Sequence, residues 1–223
     1  MGVKTMITGP FQENSYLAWT AGSNRAVIID PGDDADRLQA IIEAEHLQLA
    51  AILATHAHLD HVGAVDQLRK WSGAPVCIPE GERELLAWLP ASCRLFGLPE
   101  RPVPEVDHWL KSELTQLSGL LPSANLGELA VTIHATPGHT AGGVCYQIDQ
   151  ALFVGDTLFH DSVGRTDLPG GDWPTLEQSL RYLMTLPDDL VVYPGHGPAT
   201  TLGREKQSNP YLLDIQRGAV ARA

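Results

Sequence analysis

Thr55-His56-Ala57-His58-Leu59-Asp60-His61 places four metal-capable side chains within six residues. Ile52, Leu53 and Ala54 precede it and read as a short buried strand. Val62, Val65 and Leu68 follow at helical spacing, and Asp60 stands where it can cap that helix. The stretch therefore falls where a strand ends and a helix begins, a common place for a site in an α/β protein. In an extended segment His56 and His58 point the same way, because side chains alternate. Two imidazoles can then reach one ion. Asp60 and His61 come after the chain has begun to turn and can face a second point nearby. One histidine alone would read as a solvated loop residue; three with an Asp at this spacing point to metal.

Moving outward, Val3–Ile7, Ser15–Trp19 and Ala26–Ile29 read as strands separated by Gly9-Pro10 and by polar connections. The third stops at the turn signal Asp30-Pro31-Gly32. This spacing predicts an antiparallel meander. Residues 34–47 are helical in pattern, 50–54 a strand, 60–72 a helix, 75–78 a strand and 80–89 a helix. Residues 90–126 are less regular, punctuated by Pro99, Pro102 and Pro104, and read as an excursion on the surface. Strands resume at 129–133, 144–148 and 151–154, the last two joined by Asp149-Gln150 as a hairpin. A helix near 174–186 with Asp172 or Thr175 as its cap, a strand at 190–193 and a terminal helix over 203–217, interrupted by Pro210, complete the order. A two-sheet sandwich with helices outside satisfies it.

Three further strand ends carry metal-capable residues: His139 in Pro137-Gly138-His139-Thr140, Asp156 in Gly155-Asp156-Thr157 and His196 in Pro194-Gly195-His196-Gly197. In each, a hydrophobic run stops at Gly or Pro beside a His or Asp, and glycine lets the backbone turn and approach closely. Together with the first motif they complete a set. His56, His58 and His139 serve one ion; Asp60, His61 and His196 serve the other; Asp156, with two oxygens, bridges both. Four histidines stay outside the set. His46 and His108 read as solvated, His134 as structural, and His160 as a bystander close to the cleft.

The chain has 223 residues and a formal net charge of -12. It is long enough to bury a full core, and its charge argues against nucleic acid as a partner. No apolar run approaches the roughly 20 residues of a membrane span, and the first residues do not resemble a secretory signal. Cys77, Cys93 and Cys145 are far apart and outside any Cys-x-x-Cys pattern, so they read as reduced thiols of a cytoplasmic protein.

The motifs at 55–61, 137–140, 155–157 and 194–197 together resemble the metallo-β-lactamase superfamily, in order and in spacing. The resemblance covers nearly the whole chain. It implies an α/β fold, an αββα sandwich of two mixed sheets flanked by helices, with a dinuclear metal site at the sheet edges. Within the superfamily, Gly9–Tyr16, Asp30-Pro31-Gly32 and Gly164–Asp172 are similar to segments of glyoxalase II-like hydrolases. The resemblance then implies hydrolysis of a thioester such as hydroxyacylglutathione (S-lactoylglutathione), with Asp60 as ligand and as the group that holds the nucleophile in line. About 27 residues follow His196, so residues 1–223 are expected to form one domain without a separate C-terminal glutathione-binding helical domain. Persulfide dioxygenases, which hold one iron, share the His-x-His-x-Asp-His signature and a loop similar to 164–167. Their last motif usually reads Pro-Ala-His-Asp, where this chain has Pro194-Gly195-His196-Gly197. A purely structural metal site in a binding protein is the third reading.

The set offers only nitrogen and oxygen donors, which suits two divalent ions; zinc is favoured, and iron or manganese fit the same donors. Asp30 is expected to orient a ligand imidazole. Arg165 is a candidate contact for an anionic substrate group and equally for an ion pair with Asp167 or Asp172. The expected partner is a small thioester, with no membrane involved.

Overall fold

The computed structural model describes residues 1–121, 126 and 129–218. The first strands pair as the turn signals between them dictate. β1 (Gly2–Thr8), β2 (Glu13–Trp19) and β3 (Arg25–Ile29) form the expected antiparallel meander. β4 (Gln48–Leu53), β5 (Val76–Pro79) and β6 (His108–Leu110) then add in parallel, giving a mixed sheet in the order β1 to β6. In the second sheet, β7 (Thr132–Ala135), β8 (Val144–Ile148) and β9 (Ala151–Gly155) are antiparallel neighbours. A small hairpin of β10 (Leu158–Phe159) and β11 (Ser162–Val163) stands apart. β12 (Val191–Pro194) joins β9 in parallel, and β13 (Thr200–Thr201) closes the edge. Asp149 turns the predicted β8–β9 hairpin with φ 49°.

Period-two alternation decides which layer each strand residue enters. Leu17, Ala26, Ile28 and Ile52 face outward, against α1 (Ala35–Ala44), α2 (Leu59–Val62) and α3 (Val65–Ser72). Tyr16, Val27, Ile29 and Leu53 face inward, against Ile133, Tyr146 and Phe153 of the second sheet. Leu152, Val154 and Val192 meet the outer helices of that sheet, α6 (Trp173–Leu183), α7 (Leu202–Ser208) and α8 (Pro210–Arg217). The order is helix, sheet, sheet, helix, as expected. Asp172 caps α6, its carboxylate accepting the Thr175 N–H at 2.9 Å. The expected terminal helix is interrupted at Pro210, where Asn209 caps α8 and Pro210 starts it.

The expected helix over 60–72 is two helices, broken at Gly63-Ala64. A Cβ on Gly63 would lie 2.3 Å from the Gly32 carbonyl oxygen, so the chain must turn where it packs on the Asp30-Pro31-Gly32 loop. Asp60 is not the cap: His58 holds that position, and the Asp60 carboxylate lies 3.3 Å from His196. The expected helix over 80–89 is likewise divided, into a 3-10 turn at Glu80–Glu82, α4 (Arg83–Ala87) and α5 (Leu89–Leu95). The stretch 90–126 is not a surface excursion throughout. It supplies strand β6, and Leu110, Leu117, Leu121 and Leu126 are buried in the layer between the sheets. Each such leucine is worth about 1.5–3 kcal/mol.

Candidate metal centre

Four strand ends meet at one rim of the sandwich. β4 runs into Thr55–His61, β7 into the loop of His139, β9 into Asp156 and β12 into His196. The parallel register pairs Pro194 with Gly155, so Asp156 and His196 leave adjacent strands side by side. Asp30 leaves β3 next to Thr55, its N–H donating to the Leu53 carbonyl at 2.9 Å. Glycine is required where these ends crowd. A Cβ on Gly195 would lie 2.2 Å from Asp156 Oδ1, and one on Gly155 (φ +49°) 2.2 Å from Thr55 Oγ1.

The seven candidate residues converge as His56, His58 and His139, as Asp60, His61 and His196, and as Asp156 beside His56 and His61. In the first, His58 Nδ1 lies 3.1 Å from His56 Nε2 and 3.0 Å from His139 Nε2. Nitrogens at about 2.0–2.1 Å from a tetrahedral ion stand roughly 3.3 Å apart, so this spacing is close to that of three ligands around one point. In the second, Asp60 Oδ2 lies 3.3 Å from His196 Nε2, and His61 Nε2 lies 3.5 Å from Asp156 Oδ1. Asp156 Oδ2 stands between the groups, 3.7 Å from His139 Nε2 and 3.7 Å from His196 Nε2. His61 Nε2 and Asp156 Oδ1 are buried with no hydrogen-bond partner among the described residues. Buried polar atoms are rarely left so. Their position between donors of complementary type fits a bound cation.

The far side of three imidazoles is fixed. His139 Nδ1–H donates to the Arg165 carbonyl at 2.7 Å, which leaves Nε2 with its lone pair toward the cluster. His61 Nδ1–H donates to Asp30 Oδ2 at 3.1 Å. Thr55 Oγ1–H donates to that same Asp30 oxygen at 2.7 Å and accepts from His56 Nδ1 at 3.0 Å. The buried Asp30 therefore orients one imidazole of each group, directly or through Thr55. Its contact with an imidazole was expected; its reach to the second was not. Asp30 has φ 51°, a strained left-handed conformation for a residue with a side chain.

Burial and the neighbouring imidazoles push His56 well below the ordinary histidine range, and push His58 down to about 4. His61 goes the other way. Burial opposes its charge, but Asp156 and Asp30 outweigh that and hold it well up. His196 is also raised, burial being outweighed by Asp60 and Asp156. Asp60 and Asp156 are held low, burial being overcome by His196 and His61 for the first and chiefly by His61 for the second.

Two buried carboxylates were missed in the sequence. Glu13 accepts from Thr8 Oγ1 at 3.0 Å and Ser15 Oγ at 3.1 Å, while its Oε1 is unpartnered 3.8 Å from His61 Nδ1; burial pushes its pKa well up. Glu82 bonds two backbone amides near the cluster. Glu13 opens β2 within a polar connection and Glu82 ends the 3-10 turn after β5, and neither stands beside a His, so the sequence reading did not mark them. The Arg165 guanidinium forks Asp167 at 2.7 and 2.6 Å and is exposed, the ion-pair alternative of its two expected contacts. His134 is held by Tyr182 and Gln147, His160 pairs with Asp161 and His46 is exposed. His108, half-buried, is part of strand β6 instead of a solvated loop.

The metallo-β-lactamase superfamily profile matches residues 8–196. The chain belongs to the metallo-β-lactamase superfamily, and its clustered His and Asp side chains are able to bind metal. Among named relatives it is similar to the hydroxyacylglutathione hydrolase GloC of Haemophilus influenzae, 40% identical over 216 residues, or 95% of this chain and 98% of that one. Among solved structures it is similar to the B3 metallo-β-lactamase BLEG-1, with TM-score 0.85, 40% identity and coverage of 95% of this chain and 99% of that one. It is also similar to TTHA1623 in a di-iron-bound form, with TM-score 0.82, 37% identity and coverage of 94% and 100%. No described helix is long and apolar enough to cross a membrane.

Proposed function

We propose that the chain is a metal-dependent thioester hydrolase acting on hydroxyacylglutathione-like substrates. The observation that carries this is the placement of Asp156 Oδ2, 3.7 Å from an imidazole of each group. Two bridged groups of nitrogen and oxygen donors suit a metal pair, with His56, His58 and His139 on one side and Asp60, His61 and His196 on the other. Closed structural zinc sites are usually four-coordinate and often use Cys. The cysteines here are buried away from the cluster set. When bound, such a pair supplies a water acidified to a pKa near 7 and a Lewis acid for the substrate carbonyl. Zinc suits these donors, and the di-iron form of TTHA1623 makes iron a second candidate.

The chain's own residues do the rest. Asp60, held ionised by His196 and His61, offers a carboxylate oxygen to ligate on one side and accept a proton's hydrogen bond on the other. Asp30 and the Arg165 carbonyl accept the Nδ1–H of His61 and His139, so Nε2 of each ring is the nitrogen turned toward the cluster. A thiolate leaves readily, so no strong general acid is required. The 40% identity to the hydroxyacylglutathione hydrolase GloC supports the thioester, and the separate, buried thiols support a cytoplasmic setting.

The equal identity to BLEG-1 favours a β-lactam ring as a second candidate substrate. One panel decides among the substrates. S-Lactoylglutathione should be hydrolysed, with activity lost to a chelator and restored by zinc or iron. Turnover of a cephalosporin alone, or oxygen uptake with glutathione persulfide, would contradict the proposal.

A further inference from the structure

Glu82 is fully buried, and no ion pair among the described residues accounts for it. Its neighbour Arg83 is drawn elsewhere, pairing with Glu80 at 3.2 Å and lying 4.0 Å over the Trp109 ring. A carboxylate is costly to bury unless both oxygens are hydrogen-bonded. Here both are. Oε2 accepts the Ala57 N–H at 2.8 Å, and Oε1 accepts the Gly142 N–H at 2.7 Å. Charge-assisted bonds of this kind are the strong ones.

The two amides belong to the two loops that must meet. Ala57 stands between His56 and His58, at the end of a strand of the first sheet. Gly142 follows His139 in the turn that Thr136 N–H closes on the Gly143 carbonyl at 2.8 Å, in the second sheet. The backbones touch bare at this seam. A Cβ on Gly81 would lie 2.7 Å from Gly142 Cα, and one on Gly142 would lie 2.8 Å from Gly81 Cα. One backbone bond, Val144 N–H to the Thr55 carbonyl at 3.0 Å, runs alongside. The three imidazoles that face one another at 3.0–3.1 Å thus come from loops on different sheets, and Glu82 joins those loops.

We infer that Glu82 is a positioning residue for the three-imidazole half: by bonding both loops it sets the distance of His139 from His56 and His58, and with it the metal affinity of that half. This rests on reading the cluster as a metal pair. The test is a Co2+ titration of chelator-stripped wild type, Glu82→Gln and Asp60→Ala, against a chromophoric competitor, with visible spectra recorded at each step. Gln keeps the size of Glu but turns an NH2 toward an amide N–H. Glu82→Gln should weaken the step that survives in Asp60→Ala by about 10–100-fold, alter its cobalt spectrum, and leave the other step at its wild-type value. Two wild-type steps in Glu82→Gln, or equal weakening of both, would overturn the inference while leaving the metal pair standing. No cobalt bound by the wild type would instead remove the metal pair itself. Should Glu82→Gln not fold, Glu82→Asp, too short to span both amides, must show the same selective loss.

Discussion

The two halves of the histidine cluster share one kind of side chain and are held by opposite electrostatics. His56, His58 and His139 face one another with no carboxylate of their own, and burial keeps His56 and His58 neutral. His61 and His196 are each set against Asp60 or Asp156, which raises them despite burial. His56 and His58 present lone pairs at neutral pH. In the second half the neighbouring carboxylates favour the protonated rings, and a cation must compete with protons for the same nitrogens. Asp156 belongs to both, and Asp30 braces one imidazole of each.

The largest effect should come from breaking what the halves share. Asp156→Ala should abolish binding of both ions and lose more activity than the 10–100-fold or so that an outer partner costs. Metal analysis showing one ion retained would mean that the halves are independent. Asp30→Asn comes next. It keeps the side chain's shape but weakens the acceptor for His61 and for Thr55, so chelator competition should show both ions held about 10–100-fold more weakly. Weakening of one ion alone would show that the path through Thr55 to His56 does not matter.

A difference in pH dependence separates the halves more finely. In chelator-treated protein His58 titrates near 4, against the ordinary 6.5, so the unfolded chain takes up that proton first. Acid therefore drains stability between 6.5 and about 4, and the full contribution is present only above that window. His196 has the opposite sign. Its raised pKa adds stability that is fully present below 6.5 and lost as pH rises through the folded value. Urea unfolding between about pH 5 and 8 should show His58→Gln losing less stability than wild type on acidification. His196→Gln should fall furthest below wild type at low pH and approach it as pH rises. Slopes of the same sign would erase the contrast.

The smallest effect is expected at Arg165. Its pair with Asp167 is exposed, so Arg165→Ala should leave the urea unfolding midpoint close to that of wild type. The group that holds His139 is the Arg165 carbonyl, which the substitution keeps. A rise in KM with unchanged kcat would assign the guanidinium to the substrate; a large loss of stability would show the ion pair to be structural.

The strand order, the sandwich and the seven candidate residues were legible because each candidate follows a hydrophobic run at a Gly or Pro or lies in the dense 55–61 motif. The seven side chains come together in space, with Asp156 beside His56 and His61. What was not legible depends on distance in three dimensions. Asp30 was expected to orient one imidazole, but nothing in sequence shows that it reaches a second through Thr55. Glu82 sits in a plain charged stretch, and its function lies in two backbone amides 25 and 60 residues away. Strand β6 hides among prolines because three residues are too few to show a period. The helix break at Gly63 follows from close packing on Gly32, which no local propensity announces.

We propose that one carboxylate, Asp156, joins two metal-binding halves. Crystals grown with zinc, measured across the zinc absorption edge, test it most directly. Two anomalous peaks are predicted, each about 2.0–2.2 Å from its nitrogen and oxygen donors: one at His56, His58 and His139, the other at Asp60, His61 and His196, with Asp156 reaching both. A single peak, or two peaks with Asp156 bound to neither or only one, would contradict it.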